Sequence, residues 1–237
     1  MDNFRGQPED PLFTIIVPCR KIDADVLKCV FECLLQPVPT EIKVIDDITC
    51  PGYPAQKRNW AIERAKGKYL AFIDADAYPS RDWLPNSLLH FEAGFSGVCG
   101  PGILPAGSSI LEHAVDLIYK CLPYGYRVTP RKQRVVKEFP TFNLIVRKDS
   151  APLFKDYLTG EDSLFCRELK GHILYDPRVV VYHKRRSLFR PFWKQVSTYG
   201  IHRGHLIRLA VLGWWSTLFV YCKNFIRGFF SNFIKGG

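Results

Sequence analysis

The stretch IDADAYP, residues 73–79, sets two carboxylates, Asp74 and Asp76, one residue apart at the end of an apolar run. On an extended chain, side chains two positions apart point the same way. Like charges held that close repel, and beside an apolar core both lose water. One hard divalent cation relieves both costs. Mg²⁺ typically takes one or two carboxylates and completes its shell with phosphate oxygens and water. Such an ion offsets charge building on a departing diphosphate. A solvated turn after a strand is the plain alternative, and D-x-D by itself does not exclude it.

Two further groups could do chemistry. Glu161 and Asp162 open a helix after Gly160. Acids suit the first turn of a helix, where the dipole favours them, and a carboxylate there could equally act as general base toward a hydroxyl. His183 closes the apolar run RVVVYH and meets Lys184, Arg185 and Arg186. Together these could contact a metal–diphosphate unit, or they could simply face water.

The elements that must position these groups are legible in the apolar pattern. LFTIIVP (12–18) reads as a buried strand ending at Pro18, EIKVIDD (41–47) as a second ending in Asp46 and Asp47, and KYLAFIDAD (68–76) as a third. Between them, DADVLKCVFECLL (23–35) places Val26, Leu27, Val30, Cys33 and Leu34 on one helical face. PAQKRNWAIERAKG (54–67) is a second helix, stopped by Gly67. This alternation predicts an α/β fold with a mostly parallel, doubly wound sheet. Ligands of such sheets bind beyond the carboxyl ends of the strands. Pro18 to Arg20, Asp46 with Asp47, and Asp74 with Asp76 are therefore expected along one rim. Farther on, helices are predicted over 80–94 and 108–122 with Ser80 and Ser108 as N-caps. A strand is predicted over 139–149, a helix start over 159–171, and a hairpin or strand pair over 172–186.

The net charge of +10 is unevenly spread. Residues 177–237 hold eleven Lys or Arg and no acid, while the 22 basic and 23 acidic residues before them nearly cancel. The basic end is also aromatic, with Trp193, Trp214 and Trp215 among its residues. Basic plus aromatic suits a membrane surface or a nucleic acid. No nucleic-acid motif is present, and the Trp and Phe content exceeds what groove binding needs. The uncharged run 209–222 would be about 21 Å long as a helix, short of the roughly 30 Å of hydrocarbon. The tail therefore reads as amphipathic helices lying on a membrane, or as a cover for a core or a homo-oligomer interface. The eight cysteines include no CxxC pair. This disfavours zinc and suits free thiols in a reducing cytoplasm. The start, MDNFRGQPEDP, is polar and unlike a secretory leader.

In order and spacing, the segments FTIIVPCR, VIDDIT, KRNWAIERAKGKYLAFIDADAYP, NLIVRKDS and TGEDSLFCRELKGHILYDPRVVVYH resemble the family 2 glycosyltransferases of the GT-A fold, over about residues 12–205. The following RRSLFRPFWKQVSTYGIHRG looks like the bacterial exopolysaccharide branch, whose members extend lipid-linked sugars at the cytoplasmic membrane face. The resemblance implies a GT-A catalytic domain over 1–186 and a basic, aromatic helical extension over 187–237, peripheral on the inner face of the cell membrane. It implies inverting transfer from a UDP- or GDP-sugar to a glycan or polyprenyl-linked acceptor, assisted by Mg²⁺ or Mn²⁺.

Roles follow by position. Pro18, Arg20 and Asp47 match the nucleotide pocket, and Lys57, Arg58 and Asn59 match the segment beside it. Asp76 and Asp74 match the D-x-D metal motif, with Asp74 nearer the ribose. His183 matches a metal-ligating histidine, Asp162 the catalytic base with Glu161 in support, and Arg185 a cation for the leaving group. The chain departs from the family pattern at Arg20, where asparagine is usual, and at Thr141-Phe142, where glycine is common. It also lacks Q-x-x-R-W, which argues against processive synthesis. Nucleotidyl transfer and a non-enzymatic nucleic-acid-binding module are the alternative classes.

Overall fold

The computed structural model describes residues 10–121, 125–156 and 160–185. Three apolar strands, β1 (Phe13–Pro18), β2 (Thr40–Ile45) and β3 (Tyr69–Ile73), are joined by helices α1 (Ala24–Leu34) and α2 (Pro54–Glu63). They run parallel in the order β2-β1-β3, with Pro18 opposite Ile45 and Ile16 opposite Phe72. Their carboxyl ends share one rim. Cys19 and Arg20, Asp46 and Asp47, and Asp74 and Asp76 follow those ends directly.

The sheet as a whole is mixed. On its far side β3 pairs antiparallel with β8 (Asn143–Arg147), and Ile73 faces Asn143. Beyond β8 lie β5 (Gly97–Cys99), β9 (Ile173–Tyr175) and β7 (Arg134–Val136). Of these pairings only β5–β9 is parallel. Thus β1, β2, β3, β5 and β9 run one way, as a mostly parallel sheet requires, and β8 and β7 run the other. A strand buried on both faces has a near-continuous apolar sequence that reads the same in either direction. The direction of β8 was therefore not encoded in its pattern. Its reversal matters, because an antiparallel strand brings its amino end, with Thr141 and Phe142 just before it, to the rim where the parallel strands end.

A second, small sheet has the order β4-β10-β6, formed by β4 (Ala77–Pro79), β10 (Val181–His183) and β6 (Gly102–Ile103). The two strands foreseen over 172–186 thus belong to different sheets and do not form a hairpin. The remaining helices are α3 (Trp83–Glu92), α4 (Ile110–Cys121) and α5 (Glu161–Glu168).

Strand alternation sends side chains to two cores. Ile15, Val17 and Ala71 pack with α1 and α3, while Ile16, Leu70 and Phe72 pack with α2 and α5. On α1 the buried face is Val26, Cys29, Val30 and Cys33, whereas Leu27 and Leu34 are exposed. Small thiols serve here as apolar filling. Asp23 caps α1 by accepting from the amides of Asp25 and Val26. The N-cap position of α3 is Asp82, not Ser80. At α4 it is Ser109, not Ser108, that accepts from the Glu112 amide, while the Glu112 carboxylate accepts from the Ser109 amide. Gly67 does not stop α2, which ends at Glu63. A side chain at Gly67 would strike the backbone of Phe13 and Thr14, so glycine permits close approach to β1. Among the described residues no helix is long and apolar enough to cross a membrane. The extension foreseen over 187–237 lies outside the described residues.

Asn143 joins the two sheets. Fully buried, it accepts from the Trp83 indole at 2.8 Å and donates to the carbonyls of Val179 at 2.8 Å and Pro101 at 3.4 Å. Val179 precedes β10 and Pro101 precedes β6, so one amide fixes the small sheet against the end of β3. Asn143→Ala should leave the Trp83 N–H and the Val179 carbonyl unpaired, at about 1–3 kcal/mol for each group. A fall of roughly 5–15 °C in melting temperature is expected. Calorimetric melting checks this, and an unchanged Tm would show that Asn143 does not tie the sheets.

Candidate active site

Asp74 ends β3 and Asp76 precedes β4, with a turn between them in which the Ala77 amide donates to the Asp74 carbonyl. The two carboxylates therefore converge through a turn and not through extended-strand alternation. The small sheet supplies the third group: β10 pairs with β4, placing His183 opposite Ala77. Nε2 of His183 lies 3.3 Å from Asp76 Oδ1. One potential ligand atom from each of Asp74, Asp76 and His183 falls within 4.8 Å of the others. Phe142 stacks on the His183 ring at 5.0 Å between centroids and 17° between planes.

Beneath this cluster lies Arg58 of α2, only 5% exposed. Its Nη2 is 3.5 Å from Asp74, and its Nη1 is 3.2 Å from Glu161 and 3.6 Å from Asp162. Arg58 is thus a buried counter-ion shared by three carboxylates, and its Nε has no hydrogen-bond partner. Burial opposes its charge, but Asp162, Asp74 and Glu161 outweigh this and raise its pKa. Its neighbours on α2 turn elsewhere. Lys57 pairs with Asp47. Asn59 exchanges two hydrogen bonds with the Phe154 backbone, at 2.8 and 2.7 Å.

Gly160 holds a left-handed φ of 86° before α5, so Glu161 and Asp162 start that helix. Asp162 accepts from the Thr141 amide at 3.2 Å and from the Thr141 hydroxyl at 3.0 Å. Glu161 is pushed up to about 8, first by burial and then by Asp162, with Arg58 only partly offsetting both. Burial also raises Asp74. Arg58 and His183 oppose that rise, and Asp76 and Asp162 add to it.

The other foreseen residues fall into two groups. Pro18, Arg20 and Asp47 lie on the rim, where the Arg20 carbonyl accepts from the Asp47 amide at 3.1 Å. Arg185 does not offer a free cation to a leaving group, because its guanidinium is engaged with Asp116 and with the carbonyls of His183 and Gly102. Thr141 and Phe142 were singled out only as departures from a pattern. Their contacts with Asp162 and His183 were hidden because the direction of β8 was not readable.

The donor set fits a divalent ion. Asp74, Glu161 and Asp162 share the cation Arg58, while Asp76 lies beside His183. Two carboxylates and an imidazole, with ligand atoms within 4.8 Å of one another, could hold a divalent cation.

A mixed α/β sheet flanked by helices, with acids on the carboxyl rim, defines a GT-A-like domain. The model of glycosyl transferase family 2 matches residues 48–152.

Among related sequences, the dolichyl N-acetyl-alpha-D-glucosaminyl phosphate 3-beta-D-2,3-diacetamido-2,3-dideoxy-beta-D-glucuronosyltransferase of Methanococcus voltae is 26% identical over 195 residues, covering 75% of this chain and 59% of its own. The pre-mycofactocin glycosyltransferase of Mycobacterium tuberculosis is 25% identical over 163 residues, covering 62% of this chain and 33% of its own. The chain thus spans less than two thirds of either relative. Of solved structures, S. aureus TarS 1-349 in complex with UDP-GlcNAc aligns with TM-score 0.54 at 16% identity, over 74% of this chain and 59% of that one. A197 from STIV aligns with TM-score 0.51 at 15% identity, over 73% and 86%. These structural likenesses bear on the fold.

The carboxyl cluster carries a stability signature. A folded-state pKa of about 8 for Glu161, above the unfolded 4.5, means the folded chain holds a proton that the unfolded chain has lost. That contribution is fully present below about pH 4.5 and is lost as pH rises through 8. In EDTA, Glu161→Gln should flatten the fall in Tm across this window and melt above the wild type at the alkaline end. Parallel Tm–pH curves for the two proteins would contradict the charge crowding described.

Proposed function

We propose that the protein is an inverting glycosyltransferase. It moves a sugar from a nucleotide-diphospho sugar to a hydroxyl of a lipid-linked glycan. The observation that carries this reading is the junction of the Asp74–Asp76–His183 cluster with the Glu161–Asp162 pair through the single buried cation Arg58. One half suits a metal diphosphate, and the other suits a hydroxyl that must lose a proton.

Asp162 is the general base. Thr141 donates to both its oxygens and so fixes the carboxylate. It takes the acceptor proton as the acceptor oxygen attacks the anomeric carbon in line with the departing diphosphate. Glu161 keeps its proton at neutral pH and so limits the repulsion around the base. Asp74, Asp76 and His183 hold the divalent ion, Mn²⁺ in preference to Mg²⁺. When bound, that ion would offset charge on the leaving diphosphate. Asp47 and the 18–20 segment contact the nucleotide. The TarS complex with UDP-GlcNAc supports a UDP-sugar as the first donor to test. The name of the M. voltae relative supports a polyprenyl-type carrier.

A calorimetric panel of UDP-, GDP- and dTDP-sugars with and without Mn²⁺ tests the reading. Asp76→Ala should abolish metal-dependent donor binding, and unchanged wild-type donor affinity in EDTA would remove the metal from the scheme. Asp162→Asn keeps shape and removes basicity. It should leave donor binding intact and cut turnover roughly a hundredfold or more. Near-normal turnover with an authentic acceptor would rule out Asp162 as base.

The basic, aromatic sequence of residues 188–235 supports contact with an anionic bilayer, where a polyprenyl carrier resides. The full chain should float with anionic liposomes, less so at high salt, and deletion after Arg186 should release it. A chain that stays in the aqueous fraction at low salt would reassign the tail to an oligomer interface.

A further inference from the structure

Arg185 lies two residues beyond His183 and is buried, 7% exposed, against Asp116 of α4, 2% exposed. Its Nε donates to Asp116 Oδ1 at 2.9 Å. Its Nη1 donates to the His183 carbonyl at 2.8 Å, and its Nη2 to the Gly102 carbonyl. The other Asp116 oxygen is held by Lys120, one helical turn on, at 2.7 Å. Both oxygens of the carboxylate and all three nitrogens of the guanidinium are therefore engaged.

The strand that carries His183 needs such an anchor. β10 has three residues, and His183 is the last. On the β4 side its pairing reaches His183, but on the β6 side it stops at Tyr182 opposite Ile103. The Arg185 fork extends the connection at that point. It links the His183 carbonyl to the Gly102 carbonyl of β6 and ties both to α4. Gly102 also lies against the Phe142 ring, and that ring stacks on His183. Backbone and ring of His183 are thus fixed from one side by the same small group of residues.

We infer that Arg185, locked in place by Asp116, is a positioning residue for the metal ligand His183, an inference that rests on the metal role given above to Asp74, Asp76 and His183. Outer partners that orient a ligand typically contribute 10–100-fold to metal affinity. A planar guanidinium can hold a carboxylate and two carbonyls at once, whereas an ammonium on a flexible stem cannot match that fork. Arg185 acts through His183 and does not touch the diphosphate.

Titration of Mn²⁺ alone into the full chain, followed by calorimetry, tests this. Arg185→Lys and Asp116→Asn should each weaken Mn²⁺ binding about tenfold. Arg185→Lys should leave the affinity for UDP in EDTA unchanged. In a His183→Ala background it should add no further loss, because two residues acting through one group are not additive. Asp116→Asn leaves a buried guanidinium short of a partner, so the double replacement Asp116→Leu with Arg185→Met serves as the folded control. Apolar residues of similar size commonly preserve a fold when they replace a buried ion pair, and the double variant should lose Mn²⁺ affinity to the same extent. Mn²⁺ affinity within about twofold of wild type in Arg185→Lys or in the folded double variant would overturn the inference. So would an equal loss of UDP affinity without metal, which would make Arg185 a diphosphate ligand. If His183→Ala loses Mn²⁺ and the Arg185 and Asp116 variants do not, only this inference falls. If the wild type binds no Mn²⁺, the metal reading falls with it.

Discussion

A guanidinium that is 5% exposed must be surrounded by countercharge, and the site is arranged around meeting that demand at Arg58. Asp74 arrives from the turn after β3, and Glu161 and Asp162 from the first turn of α5. Arg58 is the group both face, so it sets the spacing between Asp74 and the Glu161–Asp162 pair. Lys57, one position earlier on α2, points about 100° away around the helix and pairs with Asp47 at the end of β2. One helix thereby fixes acids at the ends of β2 and β3 and at the start of α5. This explains why α2 shows so little apolar periodicity: two of its inward positions carry charge.

The second constraint is the reversal at β8. Parallel strands present only their carboxyl ends to the rim, and three of them supply the acids. Asp162 needs donors and His183 needs a surface to lie against. Both come from Thr141 and Phe142, at the amino end of an antiparallel strand. Asn143, the next residue, ties that strand to the small sheet that delivers His183. Three consecutive residues thus connect the acids of the large sheet to the histidine of the small one.

Much of this was legible in the sequence, and the failures have physical causes. The strands β1, β2 and β3 and the acids that follow them stood out because an apolar run broken by charge is a strong signal in any sheet. Strand direction is not encoded in such a run, so the mixed sheet and the contacts of Thr141 and Phe142 did not follow. The helical face of α1 expected from sequence holds Val26, Leu27, Val30, Cys33 and Leu34; Val26, Val30 and Cys33 are buried, while Leu27 and Leu34 are exposed and the small Cys29 fills the core in their place. Arg58 is expected from sequence beside the nucleotide, and Arg185 among the cations offered to the leaving group. Both are buried, because each meets a carboxylate that is distant in the chain and that no local pattern reveals.

The crowding of carboxylates around Arg58 is the electrostatic problem that the rest of the site answers. Asp74, Glu161 and Asp162 cannot all be ionised beside Arg58 at low cost, and burial together with Asp162 pushes Glu161 up to about 8, toward its protonated form. A divalent ion between Asp74, Asp76 and His183 answers the same crowding from the other side of Arg58. Proton and cation are therefore alternative solutions to one electrostatic problem, and each lessens the need for the other.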